Sequence, residues 1–328
     1  MIATIRAWIE ARSRRMPLAG DRVVAAASVI AIAILAWVWW QMARQTWHDD
    51  SYTFWSAWQD GHLYPPTWRP ISQYVYSPAF AQAFWPLMQL PWPIVNGLWA
   101  ALQLAALVWM LGPIGALVAI AFPIPYLPHS GTAVYATINN GNPMILTAAA
   151  ITLGLTRWPG GFAYVLLTKV SAGIGILYFA IRRQWGALGM AVGVTALIIA
   201  VSAIFAPGLW GEWATLLFGA VSSSGGSEAL AKEIFMPVPL GVRGLIGVGM
   251  VVLASLRGWS WAVPIGCFLA LPDIHLGGFA VLTAVPAVWL RQRQAHSEAE
   301  AEAEGRVASP APTSQNQARR SRSRVRGG

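Results

Sequence analysis

Residues 23–42 read VVAAASVIAIAILAWVWWQM, twenty positions without a charge. A helix rises about 1.5 Å per residue, so this stretch matches the roughly 30 Å hydrocarbon core of a bilayer. Arg6, Arg12, Arg14, Arg15 and Arg22 precede it. A run this long behind basic residues reads as a retained first helix with its N-terminus inside, not as a cleavable signal peptide. Further apolar runs follow at 74–90, 92–112, 113–126, 142–156, 159–181, 185–206, 242–256, 259–271 and 274–290, separated by short turns rich in Pro and Gly. The pattern predicts an all-α integral membrane protein, a polytopic helical bundle.

Composition agrees. The 328 residues are 56% hydrophobic and 11% charged, against about a quarter charged in a soluble domain, which excludes a water-soluble monomer. Residues 1–22 and 291–328 hold 13 of the 22 Lys/Arg and six of the 13 Asp/Glu. The chain therefore divides into a basic cytoplasmic N-terminus (1–22), a membrane-embedded body (23–290) and a cytoplasmic tail (291–328). From His296 the tail runs through Glu-Ala repeats, then Ser/Pro/Ala, then an Arg/Ser block, a blocky charge pattern that predicts disorder. The net charge of +9 flanks apolar segments, so its partner is membrane lipid and not nucleic acid. The lone Cys267 excludes an internal disulfide and a cysteine metal cluster.

Arg157, Arg182, Arg183, Arg257, Arg291 and Arg293 sit at segment ends and orient the body with those turns in the cytoplasm. Run 159–181 then starts and ends on one side, as a re-entrant hairpin breaking near Lys169, Val170 and Ser171 or at Gly173. Run 113–126, bounded by prolines, does the same on the outer side, which leaves about eight full crossings. With this topology Asp49, Asp50, Asp60, Glu212, Glu228, Glu233 and Asp273 all fall outside, and the outer loops 45–73 and 207–241 carry the polar chemistry of a multi-pass cell-membrane protein.

In the first outer loop, aromatic positions 54, 55 and 58 share a face at helical spacing, predicting a short interfacial helix over Ser51–Asp60. Asp50 lies at its start, either as a cap or as a carboxylate placed to take a proton from a hydroxyl at the membrane surface. Candidate partners for an anion such as phosphate are the cations Arg243, Lys169 and Lys232, together with His275; Arg243, at the outer start of its run, is the leading one. Asn140 and Asn142, beside Asn139 at the outer start of a helix, read as caps or sugar contacts. Tyr52, Trp55, Tyr76 and Asp273 complete the candidate sugar or acceptor contacts, the aromatics through their faces. Loop 207–241 reads as flexible and then helical, either a lid or a linker. The scattered acids predict no metal site, and no cofactor is expected.

Asp50-x-Tyr52-x-Phe54-x-x-Ala57-x-x-x-Gly61-x-x-Tyr64, then Tyr76-Ser77-Pro78-Ala79-Phe80 and Trp85-Pro86-Leu87, resembles the opening of glycosyltransferase family 87. Asn140-Gly141-Asn142 stands where that family commonly has Gly-Gln-x-Asn; Lys169, Arg182-Arg183-Gln184-Trp185 and Leu271-Pro272-Asp273-Ile274-His275 extend the likeness over residues 23–290. The Gln of the third motif and a Pro after Lys169 are absent, and the chain is short for the family. The resemblance implies a GT-C-like bundle and an inverting transferase that moves a hexose, most readily mannose, from a polyprenyl-phosphate sugar. The acceptor is a hydroxyl of an envelope glycolipid or glycan on the outer side, and Asp50 is the base, with Asp49 the adjacent alternative. A transporter or flippase for a lipid-linked or amphipathic substrate is the rival reading, and a non-catalytic scaffold for envelope synthesis a third. A transporter should line both halves of a path with polar groups, whereas here the acids gather outside.

Overall fold

The computed structural model describes residues 18–45, 49–59, 61, 63–64, 74–122, 132–222, 238–272, 274 and 276–308. Lys232, Asp273 and His275, three of the candidate site residues, lie outside them, as do 309–328. The described residues are helical throughout, with no strand among them.

The first helix, α1 (Leu18–Ala43), lies along α4 (Trp92–Ala121). Between them come α2 (Asp49–Gln59) and α3 (Pro78–Met88). Trp39 Nε1 donates to Gly97 O at 2.8 Å, and Asn96 Nδ2 to Met42 O at 3.1 Å, so polar groups that lipid cannot satisfy are answered between helices. Runs 92–112 and 113–126, separate in the sequence, form one kinked element. Gly112 takes φ 73°, ψ 169° inside α4, because Pro113 has no N–H to continue the helical ladder.

The next helices are α5 (Ala133–Asn140) and α6 (Met144–Thr156). Run 159–181 divides at the residue the sequence marks: α7 (Phe162–Thr168) stops at Lys169 (φ −135°, ψ 74°). A 3₁₀ segment, Val170–Ile176, folds against it and leads into α8 (Leu177–Ile181). Then follow α9 (Trp185–Phe205), α10 (Pro207–Ser222), α11 (Leu240–Arg257) and α12 (Val263–Leu269), and a 3₁₀ segment, Leu276–Thr283, precedes α13 (Ala284–Ala308).

Two expectations change here. Loop 207–241 opens with the regular helix α10 where a loop is expected, and its Ser/Gly stretch, 223–227, lies outside the described residues. Residues 291–308, placed by the sequence in a disordered tail, continue α13, because alternating Ala and Glu are strong helix formers whatever their charge. The chain divides into two compact units, residues 1–288 and 289–328; in the second, the Arg293 guanidinium sits 4.0 Å over the Trp289 ring.

Four segments are long and apolar enough to cross a bilayer alone: Arg22–Ala43, Trp92–Ala121, Trp185–Phe205 and Leu240–Arg257. Their outward faces are apolar too, with Val23, Val192, Ile204, Phe205, Leu245 and Leu256 all exposed. Apolar residues inside and out make this a helical membrane protein.

Two hydrophobic clusters fill the first unit. The larger joins α1, α4, α6, α7, α11, α12 and the segment to α13 around Ile145, Ile151, Phe162, Val263 and Val281. The second is aromatic, with Phe54, Tyr64, Tyr74, Tyr76, Phe80 and Trp99, and carries α2. Tyr164 of α7 packs against both.

Candidate active site

Helix α2 is fastened at both ends. Its C-terminal half is tied to the turn between α3 and α4: Trp55 Nε1 donates to Leu90 O at 3.0 Å and Gln59 Nε2 to Met88 O at 3.0 Å. Tyr52 packs edge-on against Trp92 with centroids 5.1 Å apart and lies 5.6 Å from Trp55. These half-buried rings form an aromatic ledge along the helix. Phe54 points the other way into the aromatic core, 5.2 Å from Tyr76 and 5.8 Å from Trp99.

The N-terminal turn of α2 rests on the turn joining α5 to α6. Gly141 caps α5 in the left-handed region (φ 69°, ψ 20°). A Cβ there would stand 2.0 Å from Ser51 Oγ and 2.4 Å from Ser51 Cβ, so the contact exists only because residue 141 is glycine. Trp99 Nε1 donates to Gly141 O at 2.7 Å, and the Gln103 carboxamide, turned nitrogen towards this loop, donates to Asn142 O at 2.8 Å. Thus fixed, buried Asn142 donates from Nδ2 to Asp50 Oδ2 at 2.6 Å. Asp50 sits in the first turn of α2, where the helix dipole favours its negative form.

Tyr76 is the shared neighbour of Asp50 and Lys169. Its buried phenol feels the Asp50 charge and the Tyr164 hydroxyl. The Lys169 Nζ lies 5.0 Å over its ring, a cation–π contact at the point where α7 breaks. Ser77 N donates to Leu167 O at 3.2 Å, which holds the Tyr76 segment against α7. Four of the residues singled out in the sequence (Asp50, Asn142, Tyr76, Lys169) thus come together from four chain segments. A carboxylate held by an amide, and an ammonium over the ring of the phenol that neighbours both, can take a proton from a hydroxyl and neutralise an anionic leaving group.

Residues 74–310 match glycosyltransferase family 87. The chain belongs to that family. No curated protein and no solved structure matches it. The family match decides for the transferase over the transporter and makes the chain a glycosyltransferase, acting on a sugar donor and an acceptor. It covers Tyr76, Asn140–Asn142, Lys169 and Arg243, while α2 with Asp50 lies ahead of it.

Arg243 of this family 87 glycosyltransferase is not the open phosphate ligand that its position at an outer helix start suggests. It is buried, and its guanidinium donates to Val238 O (2.9 Å), Leu269 O (3.4 Å), Leu271 O (2.8 Å) and Pro272 O (2.9 Å). The chain turns sharply after α12, and the Arg243 fork collects the carbonyls this leaves without helical partners. Asn140 ends α5 exposed and accepts at Oδ1 from Asn139 Nδ2 at 3.4 Å, so it is not the residue that meets Asp50. Sequence reasoning missed Gly141 and Tyr164; only the Gly between two Asn, a favoured left-handed cap, signals the first.

Helix α10 also reaches the segment that follows the first outer loop: Trp213 Nε1 donates to Val75 O at 3.1 Å. The Tyr64 phenol is raised by burial and then by the Glu212 charge. Among the described residues no group of three His, Cys, Asp or Glu is placed to hold a metal ion.

Proposed function

We propose that this glycosyltransferase moves a hexose, mannose in the first instance, from a polyprenyl-phosphate sugar to a hydroxyl of an envelope glycolipid or glycan, with inversion and on the outer side of a cell membrane. The observation that carries the reading is the Asp50 carboxylate held by Asn142 at 2.6 Å beside Tyr76, over whose ring Lys169 lies. In this reading Asp50 accepts the acceptor's proton as the acceptor oxygen bonds to C1 of the sugar. The C1–O bond to phosphate breaks with the electron pair leaving on the phosphate, and the Lys169 ammonium neutralises that charge. Phosphate is a good leaving group, so one carboxylate suffices. Tyr52 and Trp55 offer ring faces to the sugar or acceptor, and Arg243 holds in place the turn that leads to Asp273 and His275. The full bundle is a GT-C-like body of about eight crossings in which short segments act in series.

The test is transfer from radiolabelled polyprenyl-phosphate mannose by the purified chain in lipid nanodiscs. Asp50→Asn should leave folding intact and lower turnover by roughly a hundredfold or more. Near-normal turnover by that variant would refute the assignment of the base.

A further inference from the structure

We infer that the Tyr164 hydroxyl hydrogen-bonds the phosphate of the lipid-phosphate donor. This rests on the donor class proposed above, and deepens it.

Among the described residues three hydroxyl oxygens are sealed from solvent with no hydrogen-bond partner, on Ser51, Tyr164 and Ser171. The first is accounted for by its tight seat on Gly141. Ser171 follows Lys169 by two residues on the 3₁₀ segment. Tyr164 is the informative one. Its ring stands edge-on to Phe80 at 6.0 Å; Phe80 lies 5.2 Å from Tyr76, and Lys169 Nζ is 5.0 Å over the Tyr76 ring. Tyr164 also acts electrostatically on the Tyr76 phenol, so its hydroxyl and the Lys169 ammonium share Tyr76 as a neighbour.

Buried tyrosine hydroxyls normally find a partner, and an unmet one destabilises the fold. Its surroundings show the alternative: Phe80, in ring contact with Tyr164, and Phe162, in the cluster Tyr164 packs against, fill comparable space with no polar atom. A phenol kept at such a position has its partner in the substrate. It donates one hydrogen bond, so the partner is an acceptor; the nearby ammonium selects an anionic one, and a phosphate oxygen meets both requirements.

The experiment uses the full chain in nanodiscs, with polyprenyl monophosphate and the uncharged polyprenol of equal length as competing probes, and compares wild type with Tyr164→Phe. The variant should bind polyprenyl phosphate about 10- to 100-fold more weakly, the scale of a hydrogen bond to a charged group. Polyprenol binding should not change, and the thermal midpoint should hold or rise because an unmet buried hydroxyl has been removed. Unchanged phosphate affinity, an equal loss for both probes, or a lowered midpoint would each overturn the inference. The two readings fail separately. If the wild type transfers no mannose yet the variant loses only phosphate binding, the mannose reading falls and Tyr164 stands; if transfer occurs and the variant's phosphate affinity is normal, Tyr164 alone falls.

Discussion

Substituting Gly141 by alanine tests the seat of the proposed base from a residue that has no side chain of its own. The strain has two parts. A non-glycine residue at φ 69° costs about 1–2 kcal/mol. The new Cβ, 2.0 Å from Ser51 Oγ and 2.4 Å from its Cβ, adds an overpacking penalty of about 1–3 kcal/mol, relieved only if the first turn of α2 moves. Gly141→Ala should therefore destabilise the protein by about 2–5 kcal/mol. Any such movement separates Asp50 from Asn142, so transfer should fall by about a hundredfold, the usual result of a 1 Å misplacement. Ser51→Gly removes both clashing atoms and leaves the backbone strain. In the double variant, denaturant titration in mixed micelles should accordingly show a favourable coupling of about 1–3 kcal/mol, with transfer partly restored. The reasoning is refuted if Gly141→Ala is as stable and active as wild type, or if the two substitutions simply add.

Asn142→Ala removes the donor 2.6 Å from the Asp50 carboxylate. That bond favours the ionised acid, so its loss raises the Asp50 pKa, and the acid limb of the pH–rate profile should move to higher pH; a limb that stays in place counts against Asp50 as the base. Arg243→Ala should unfold the protein at markedly lower temperature, by more than about 3 kcal/mol, because four carbonyls lose their donor, and Arg243→Lys should not restore it; a stable variant with only weakened donor binding would reinstate a direct phosphate role. In a Cys267→Ala background, single cysteines at 50 and 212 should label only from the outer side and at 183 only from the cytoplasm; labelling of position 50 from the cytoplasm alone would defeat the mechanism.

What the sequence disclosed follows from the range of each cause. The kink at Gly112 and Pro113 and the break at Lys169 were legible because both sit at local interruptions of an apolar run. The short helix carrying Asp50 was legible from aromatic spacing, to within two residues of its observed start. The bond from Asn142 was not, because its partners lie 92 residues apart and an Asn beside a turn reads first as a cap. Arg243 misled for a related reason: an arginine at an outer helix start suggests an anion, and only the folded chain shows the carbonyls that await it 26 to 29 residues later. The Glu-Ala stretch is helical to Ala308 despite its blocky charge, because Ala and Glu both favour the helix.

The span between Asp50 and Asn142 also sets an order of events during synthesis. At roughly 5–20 residues per second, Asn142 leaves the ribosome on the order of 5–20 s after Asp50. Until then the leading turn of α2 has neither its amide partner nor the glycine it rests on. Its rear half is settled far sooner, since Leu90 and Met88 follow Trp55 and Gln59 by 35 and 29 residues. The tail of the helix thus has its partners first and the carboxylate gains its amide only when the α5–α6 turn has been made, so a nascent chain halted before residue 142 would hold the proposed base with no site around it.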